Sequence, residues 1–138
     1  MMTPSLMDGG MRPASRAYPP APWHMHGHAF VQPYLVDAAR LRLPPDFEPI
    51  ALAGHAIGVL GLIEYVAPSP LTYAELVWMP CLVRVASGGH RRYGYFVERM
   101  YVDSEASLAG GREIWALPKQ KARFEIGEIA AIVETGDG

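Results

Sequence analysis

The fold is decided by residues 71–85, LTYAELVWMPCLVRV, in which apolar side chains recur at every second position. This alternation is typical of a β-strand with one buried face. Tyr73, Val77 and Cys81 share that apolar face with Glu75. A buried carboxylate is costly unless it is paired, and burial raises its pKa towards the range useful for proton transfer. We therefore interpret Glu75 as a candidate acid–base residue; the alternative is a shifted register that exposes it to solvent.

Strand-like segments flank this stretch on both sides. Residues 50–66 are apolar at both parities, which favours a long strand covered on both faces, and Glu64 lies near its end. Glu64 is a second candidate acid, with simple exposure at the strand end as the alternative. Downstream, a hairpin turn at residues 87–90 leads to a predicted strand over residues 92–102. These strands predict a mainly β (α+β) fold with one or two short helices.

A short helix is predicted after these strands. Asp103 or Ser104 caps its first turn, and Gly111 is expected to stop it at the C-terminal end. Residues 112–118 then predict a connector, and residues 122–134 predict a strand or a hairpin.

Both lysines of the chain, Lys119 and Lys121, fall in one short window behind an apolar stretch at residues 115–118. An amine held in an apolar pocket loses hydration of its charged form, so its pKa falls. A neutral amine is what a Schiff-base nucleophile requires. On these residues alone a solvated lysine just past a proline is the favoured interpretation, and Lys119 as a nucleophile is the alternative.

Length and composition limit the remaining possibilities. A chain of 138 residues, half of them hydrophobic, corresponds to one domain with one core. The net charge of −2 argues against nucleic-acid binding. The apolar runs are too short for a membrane helix and do not resemble a secretory signal, so a cytoplasmic protein is expected. Residues 1–19 predict a flexible leader, and residues 20–138 predict the single domain.

The N-terminal histidines suggest a different function. His24, His26 and His28 recur at every second position, so in an extended strand all three project to one face. Neutral imidazole binds zinc, copper and iron, which makes a metal-binding protein one alternative. No spacing assigns a further ligand, and a partly solvated N-terminal strand with polar side chains is the favoured explanation of the pattern. We therefore assign no metal and no other cofactor.

The block GGREIWALPK at residues 110–119 resembles the signature of the acetoacetate decarboxylase family, and the run YVDS at residues 101–104 precedes it as in that family. Residues 73–76, YAEL, resemble the family's Tyr-x-Glu strand. Residues 20–23, PAPW, resemble the start of its decarboxylase-like branch. The resemblance implies a mainly β, barrel-like fold that assembles into homo-oligomers.

The resemblance also implies a Schiff-base lyase acting on a β-keto or other keto acid. Lys119 matches the lysine that condenses with the keto group, and the resulting iminium withdraws electrons for decarboxylation or for aldol and dehydration chemistry. Activation of such a lysine by desolvation or a nearby cation is known for acetoacetate decarboxylase itself. Glu75 matches the family's acidic residue, and Glu64 lies near a second acidic position. Four further residues are expected to contact the substrate or orient these groups: Tyr73, Arg112, Glu113 and Gln120.

Two departures from the family leave an alternative open. The decarboxylases carry two adjacent lysines after the proline, whereas Gln120 occupies the second position here and Lys121 follows it. Family members also continue well beyond this block, so the barrel is expected to be incomplete at the C-terminus. A catalytically inactive or truncated family member that binds a small molecule is therefore the alternative to a lyase.

Overall fold

The computed structural model describes residues 16–128 and 130–136. These residues form nine strands, one α-helix and one short 3-10 turn, which confirms the mainly β class. In chain order, the elements are β1 His26–Asp37, the 3-10 turn Ala38–Arg40, β2 Phe47–Pro49, β3 His55–Val66, β4 Tyr73–Met79, β5 Leu82–Ser87, β6 His90–Tyr95, β7 Arg99–Val102, α1 Glu105–Trp115, β8 Lys119–Ile126 and β9 Ala131–Thr135.

The strands form two sheets. The larger has the order β1-β3-β4-β7-β8-β9, and the smaller has the order β2-β5-β6. β7 and β8 pair in parallel, and α1 makes the crossover between them. The larger sheet curls into a half-barrel, so that Phe30 of β1 and Val133 of β9 line one cavity with Leu62 and Leu76 of the central strands. The predicted barrel-like fold is thus confirmed as a half-barrel.

The prediction of a single strand at residues 71–85 is wrong. The segment forms two strands, β4 and β5, because the chain passes from one sheet to the other at Pro80. Proline has no N–H to donate to a ladder, so pairing ends there. The strand predicted at residues 92–102 is divided at a matching position. There the N–H of Phe96 donates to the carbonyl oxygen of Cys81 at 3.0 Å. The two breaks together create the smaller sheet.

Two other predicted strand segments are present in the structure, but they begin at residues other than those predicted. The strand predicted at residues 50–66 starts only at His55, because Gly54 has a positive φ of 78° and turns the chain. The segment predicted at residues 122–134 is an antiparallel hairpin of β8 and β9. Its β8 strand begins earlier than predicted and includes the candidate lysine.

The helix is longer than predicted. Ser104 is its N-cap, as expected, but Gly111 lies inside the helix, which continues to Trp115. Ala116 ends it in the left-handed conformation, with a φ of 51°. Gly111 is needed for close packing against Lys119 and is not a stop signal. Within the described ranges, no helix is long and apolar enough to cross a membrane.

The segment before β1 contacts α1. Residues 1–15 lie outside the described part of the chain, so the predicted boundary at residue 19 stays a prediction. Tyr18, which that boundary assigns to the leader, is only 9% exposed, and its hydroxyl donates to the carboxylate of Glu113. Trp23 packs edge-to-face on Trp115 with ring centroids 4.8 Å apart. The described N-terminal segment is therefore packed against the helix.

The apolar core lies between β3 and the smaller sheet. Ala56, Cys81 and Val83 are buried there. Phe47 and Phe96 pack around them, edge-to-face with each other at 5.6 Å between ring centroids. A second buried group lies at the opposite end of β4, and it contains polar side chains.

Candidate active site

Lys119 is buried at the start of β8, with 3% of its surface exposed. It pairs with Met100 of β7, which in turn pairs with Val77 of β4. Directly paired residues project to the same face of a sheet, so Lys119, Met100 and Val77 share one face. Glu75 projects to that face too, because it lies two residues before Val77 in the same strand. The sheet thus brings Lys119 and Glu75 to one face, which α1 covers.

The ammonium group of Lys119 has three polar partners. Its Nζ donates to Oε2 of Glu75 at 2.9 Å and to Oγ of Ser107 at 2.9 Å, and it lies 3.5 Å from the hydroxyl of Tyr73. These partners match the three N–H donors of an ammonium group. Glu75 is 5% exposed and Ser107 is fully buried. The buried charges are therefore paired and hydrogen-bonded, as buried charges must be.

Two tyrosines complete the cluster. The hydroxyl of Tyr65 donates to Oε1 of Glu75 at 3.5 Å, and the ring centroids of Tyr65 and Tyr73 are 4.7 Å apart. Burial, reinforced by the Glu75 carboxylate, raises the pKa of Tyr65 to about 12. Burial likewise raises the pKa of Tyr73. Both hydroxyls therefore remain hydrogen-bond donors throughout the neutral pH range.

The raised tyrosine pKa predicts a loss of stability in alkali. Folded Tyr65 keeps its proton up to about pH 12, whereas in the unfolded chain it loses the proton near its ordinary pKa of about 10. Between these values the unfolded state binds fewer protons, so the free energy of unfolding should fall as pH rises. Urea denaturation at pH values across this range should show that the free energy of unfolding falls less steeply with pH for Tyr65→Phe than for the wild type. Tyr93, which is 61% exposed, is the matched control, and equal slopes for Tyr65→Phe and wild type would contradict the prediction.

The helix supplies two small residues that accommodate the lysine. Ser107 and Gly111 are four residues apart, so they lie on the same face of α1. A Cβ on Gly111 would lie 2.5 Å from Cδ of Lys119 and 2.6 Å from its Cε. Nε of Arg112 donates to the carbonyl oxygen of Lys119 at 2.8 Å, which holds the backbone of the lysine. The lysine is thus fixed both at its backbone and along its side chain.

Two predicted site residues lie on the opposite face of the sheet from this cluster. Glu64 pairs with Ala74 and is exposed, whereas Glu75 is one position further along β4 and faces the other way. Gln120 likewise follows Lys119 directly in β8, so the two side chains project to opposite faces. The strand period explains why neither joins the cluster.

Glu113 and the N-terminal histidines also lie apart from the cluster. Glu113 is exposed and bonds to the hydroxyl of Tyr18, so it holds the N-terminal segment on the helix. His24, His26 and His28 are all exposed. Among residues 16–128 and 130–136, no three His, Cys, Asp or Glu side chains are grouped closely enough to hold a metal ion.

Sequence reasoning did not select Ser107 or Tyr65. Ser107 precedes Gly111 by one helical turn, a spacing that is informative only once the helix is known to extend past that glycine. Tyr65 is the cross-strand partner of Tyr73, which depends on the register between β3 and β4. The register between the two strands cannot be read from either segment alone.

A cavity of about 420 Å³ adjoins the cluster at the end of the β3–β4 hairpin. Tyr65 and Tyr73 line it, together with Glu64 and Asp103. The two tyrosines therefore contact both the cavity and the buried pair of Lys119 and Glu75.

Fold and site together define a mainly β half-barrel protein that holds a buried lysine–glutamate pair beneath a short helix. The family model for acetoacetate decarboxylase (ADC) matches residues 10–137. The chain belongs to the acetoacetate decarboxylase family, which is of lyase type. This confirms the resemblance seen in the sequence.

Relatives with similar sequences are named acetoacetate decarboxylase. The acetoacetate decarboxylase of Ralstonia nicotianae is 30% identical over 110 residues, which are 78% of this chain and 42% of that protein. Acetoacetate decarboxylase 1 of Bradyrhizobium diazoefficiens is 46% identical over 43 residues, which are 31% of this chain and 17% of that protein.

Solved structures agree on the fold. Acetoacetate decarboxylase from Legionella pneumophila aligns with a TM-score of 0.60 at 27% identity and covers 96% of this chain and 55% of its own. The enduracididine biosynthesis enzyme MppR, in complex with the condensation product of pyruvate and imidazole 4-carboxaldehyde, aligns with a TM-score of 0.58 at 22% identity. The latter alignment covers 85% of this chain and 48% of MppR. The chain thus spans about half the length of these solved relatives.

Proposed function

We propose that this chain carries the Schiff-base centre of a lyase acting on a small keto acid, with Lys119 as the nucleophile. The observation that carries the proposal is the burial of Nζ of Lys119 at 2.9 Å from Glu75. Relatives named acetoacetate decarboxylase and the MppR complex with a pyruvate condensation product support this class of substrate. A homo-oligomer is the proposed assembly.

The first step is activation of the amine. Lys119 attacks only after it has lost one proton, and the Glu75 carboxylate is in direct hydrogen-bond contact with Nζ to accept it. The transfer leaves a neutral amine beside a neutral acid, which a buried site tolerates well. Two charges are replaced by none, so the low polarity of the site assists this step.

The second step forms the imine. The nitrogen lone pair of Lys119 attacks the keto carbon, and one N–H proton moves to the former carbonyl oxygen, which gives a carbinolamine. Glu75 then returns its proton to that hydroxyl, and the C–O bond breaks to release water. The product is a protonated iminium beside the restored Glu75 carboxylate, whose charge stabilises the cation.

The third step uses the iminium as an electron acceptor. In a β-keto acid, the bond to the carboxylate breaks, carbon dioxide leaves, and the electron pair moves to form an enamine. Protonation of the enamine carbon, followed by hydrolysis, frees Lys119. In a keto acid that keeps its carboxylate, loss of a proton from the carbon beside the iminium gives the enamine instead, and its attack on an aldehyde leads to aldol and dehydration products. Tyr65 and Tyr73 line the adjoining cavity, and their hydroxyls are the proposed donors to substrate oxygens.

Binding without turnover is the second candidate function. The buried pair of Lys119 and Glu75 adjoins a cavity lined by Tyr65 and Tyr73, an arrangement that can hold a keto compound without converting it. A keto compound would then stabilise the protein without being converted.

Reductive trapping tests the proposal. The full chain is mixed with a β-keto acid or pyruvate, reduced with borohydride and weighed intact by mass spectrometry, and carbon dioxide release is measured in parallel. Wild type and Lys121→Ala should gain one reduced ligand, because Lys121 is exposed and pairs with Glu105. Lys119→Ala should gain none. A wild-type protein that forms no adduct with any keto compound would overturn the proposal, and an adduct without turnover would support the binding role.

A further inference from the structure

We propose that Ser107 is a positioning residue of the lysine centre, which holds Nζ of Lys119 against Glu75 and sets the pH at which the amine becomes reactive. The inference rests on the proposed function of Lys119.

The side chain of Ser107 contacts the lysine centre directly. Its Oγ lies 2.9 Å from Nζ of Lys119, the same distance as Oε2 of Glu75. The Tyr73 hydroxyl lies 3.5 Å from the same Nζ, and the Ser107 side chain lowers the pKa of that tyrosine against the effect of burial. A serine hydroxyl has one donor and two acceptor sites, so it can serve both neighbours at once. Ser107 therefore links the lysine to the tyrosine that lines the adjoining cavity.

The backbone fixes the position of this hydroxyl. The N–H of Ser107 donates to Oγ of the N-cap Ser104 at 3.2 Å, which ties the first turn of α1. Ser107 has only one side-chain torsion that places a heavy atom, so little conformational entropy is lost in holding Oγ in place. One turn later, Gly111 leaves the space in which the aliphatic part of Lys119 lies. The helix thus holds both the side chain and the nitrogen of the lysine.

The hydrogen bond has a different effect in each protonation state. In the ammonium form Oγ accepts an N–H and stabilises the charge, because hydrogen bonds to charged groups are the stronger ones. In the amine form Oγ holds one remaining N–H and so restricts the direction of the lone pair. The titratable groups that face Nζ are Glu75 and Tyr73 from β4, with Tyr65 of β3 behind Glu75. Ser107 is the neutral contact from α1.

The pH profile of trapping tests this inference. The rate of reductive trapping of pyruvate by cyanoborohydride is measured from pH 5 to 10 for the full chain and for Ser107→Ala. Loss of an acceptor for the ammonium should move the pH of half-maximal rate down by about one unit, which is a ten-fold change in the ratio of the two forms. The rate at the alkaline plateau should also fall about ten-fold, because the lone pair is no longer directed. Alanine favours a helix, so Ser107→Ala is expected to fold.

Ser87→Ala is the control, since it removes a hydroxyl of the same kind from an exposed position at the end of β5, in the smaller sheet. It should keep the wild-type pH profile and trapping rate. A wild-type pH profile and rate for Ser107→Ala, in a preparation whose wild type forms the adduct, would overturn the role of Ser107. Failure of the wild type to form an adduct would overturn the proposed function of Lys119, and this inference with it.

Discussion

Replacing Glu75 with leucine is expected to lower the free energy of unfolding by about 3–5 kcal/mol, because it leaves the ammonium of Lys119 buried without its counter-ion. Lys119→Met should cost a comparable amount, since it leaves the carboxylate of Glu75 buried instead. Urea denaturation followed by circular dichroism near neutral pH measures both losses. Both variants should also fail to form the reduced adduct.

The double variant Glu75→Leu with Lys119→Met is the decisive comparison for this pair. Replacement of both partners of a buried ion pair by apolar side chains is often neutral or stabilising, so the double variant should be more stable than either single variant. Additive losses in the double variant would mean that the two side chains stabilise the fold separately. Single variants as stable as the wild type would mean that the pair is not buried in solution.

Gly111→Ala is expected to reduce the rate of reductive trapping about a hundred-fold. The new methyl group would meet Cδ of Lys119 at 2.5 Å, so Nζ must leave the place where Glu75 and Ser107 hold it. A displacement of about 1 Å at a reacting group is enough for a loss of this size. Alanine otherwise favours a helix by about 1 kcal/mol over glycine, so the defect should appear in reactivity more than in helix content.

The neighbouring Gly110 offers a matched control on the same helix. A Cβ there would meet the ring of Trp23 at 2.5 Å and not the lysine. Gly110→Ala should therefore lower the melting temperature by displacing the N-terminal segment, while trapping stays within a few-fold of wild type. Wild-type trapping by Gly111→Ala would show that the lysine does not lie along the helix as described.

The face that Glu75 occupies could be predicted because strand alternation is a local property. The apolar positions around it recur with a period of two, and the structure buries Tyr73, Glu75 and Val77 on that face. The N-cap at Ser104 could likewise be predicted, since a capping residue acts on its own first turn. The place of Lys119 came from the resemblance to a family, because no local pattern separates a buried lysine from an exposed one.

The rest depends on contacts between distant segments. The break at Pro80 depends on whether the second half of the strand finds partners in another sheet. The position of Gly111 inside α1 depends on Lys119 reaching it from β8. The exclusion of Glu64 follows from its pairing with Ala74, a register that a single segment does not reveal. These are the relations that a sequence pattern leaves open.

Mapping the reduced adduct by trypsin digestion tests directly whether Lys119 forms the Schiff base. Trypsin cleaves after Arg112, Lys119 and Lys121, but not after a lysine whose nitrogen carries a reduced ligand. An adduct on Lys119 should therefore yield residues 113–121 as one uncleaved peptide whose mass is increased by the ligand. Cleavage after Lys119 in adduct-bearing protein, with the added mass on Lys121 or on the N-terminal amine, would contradict the assignment.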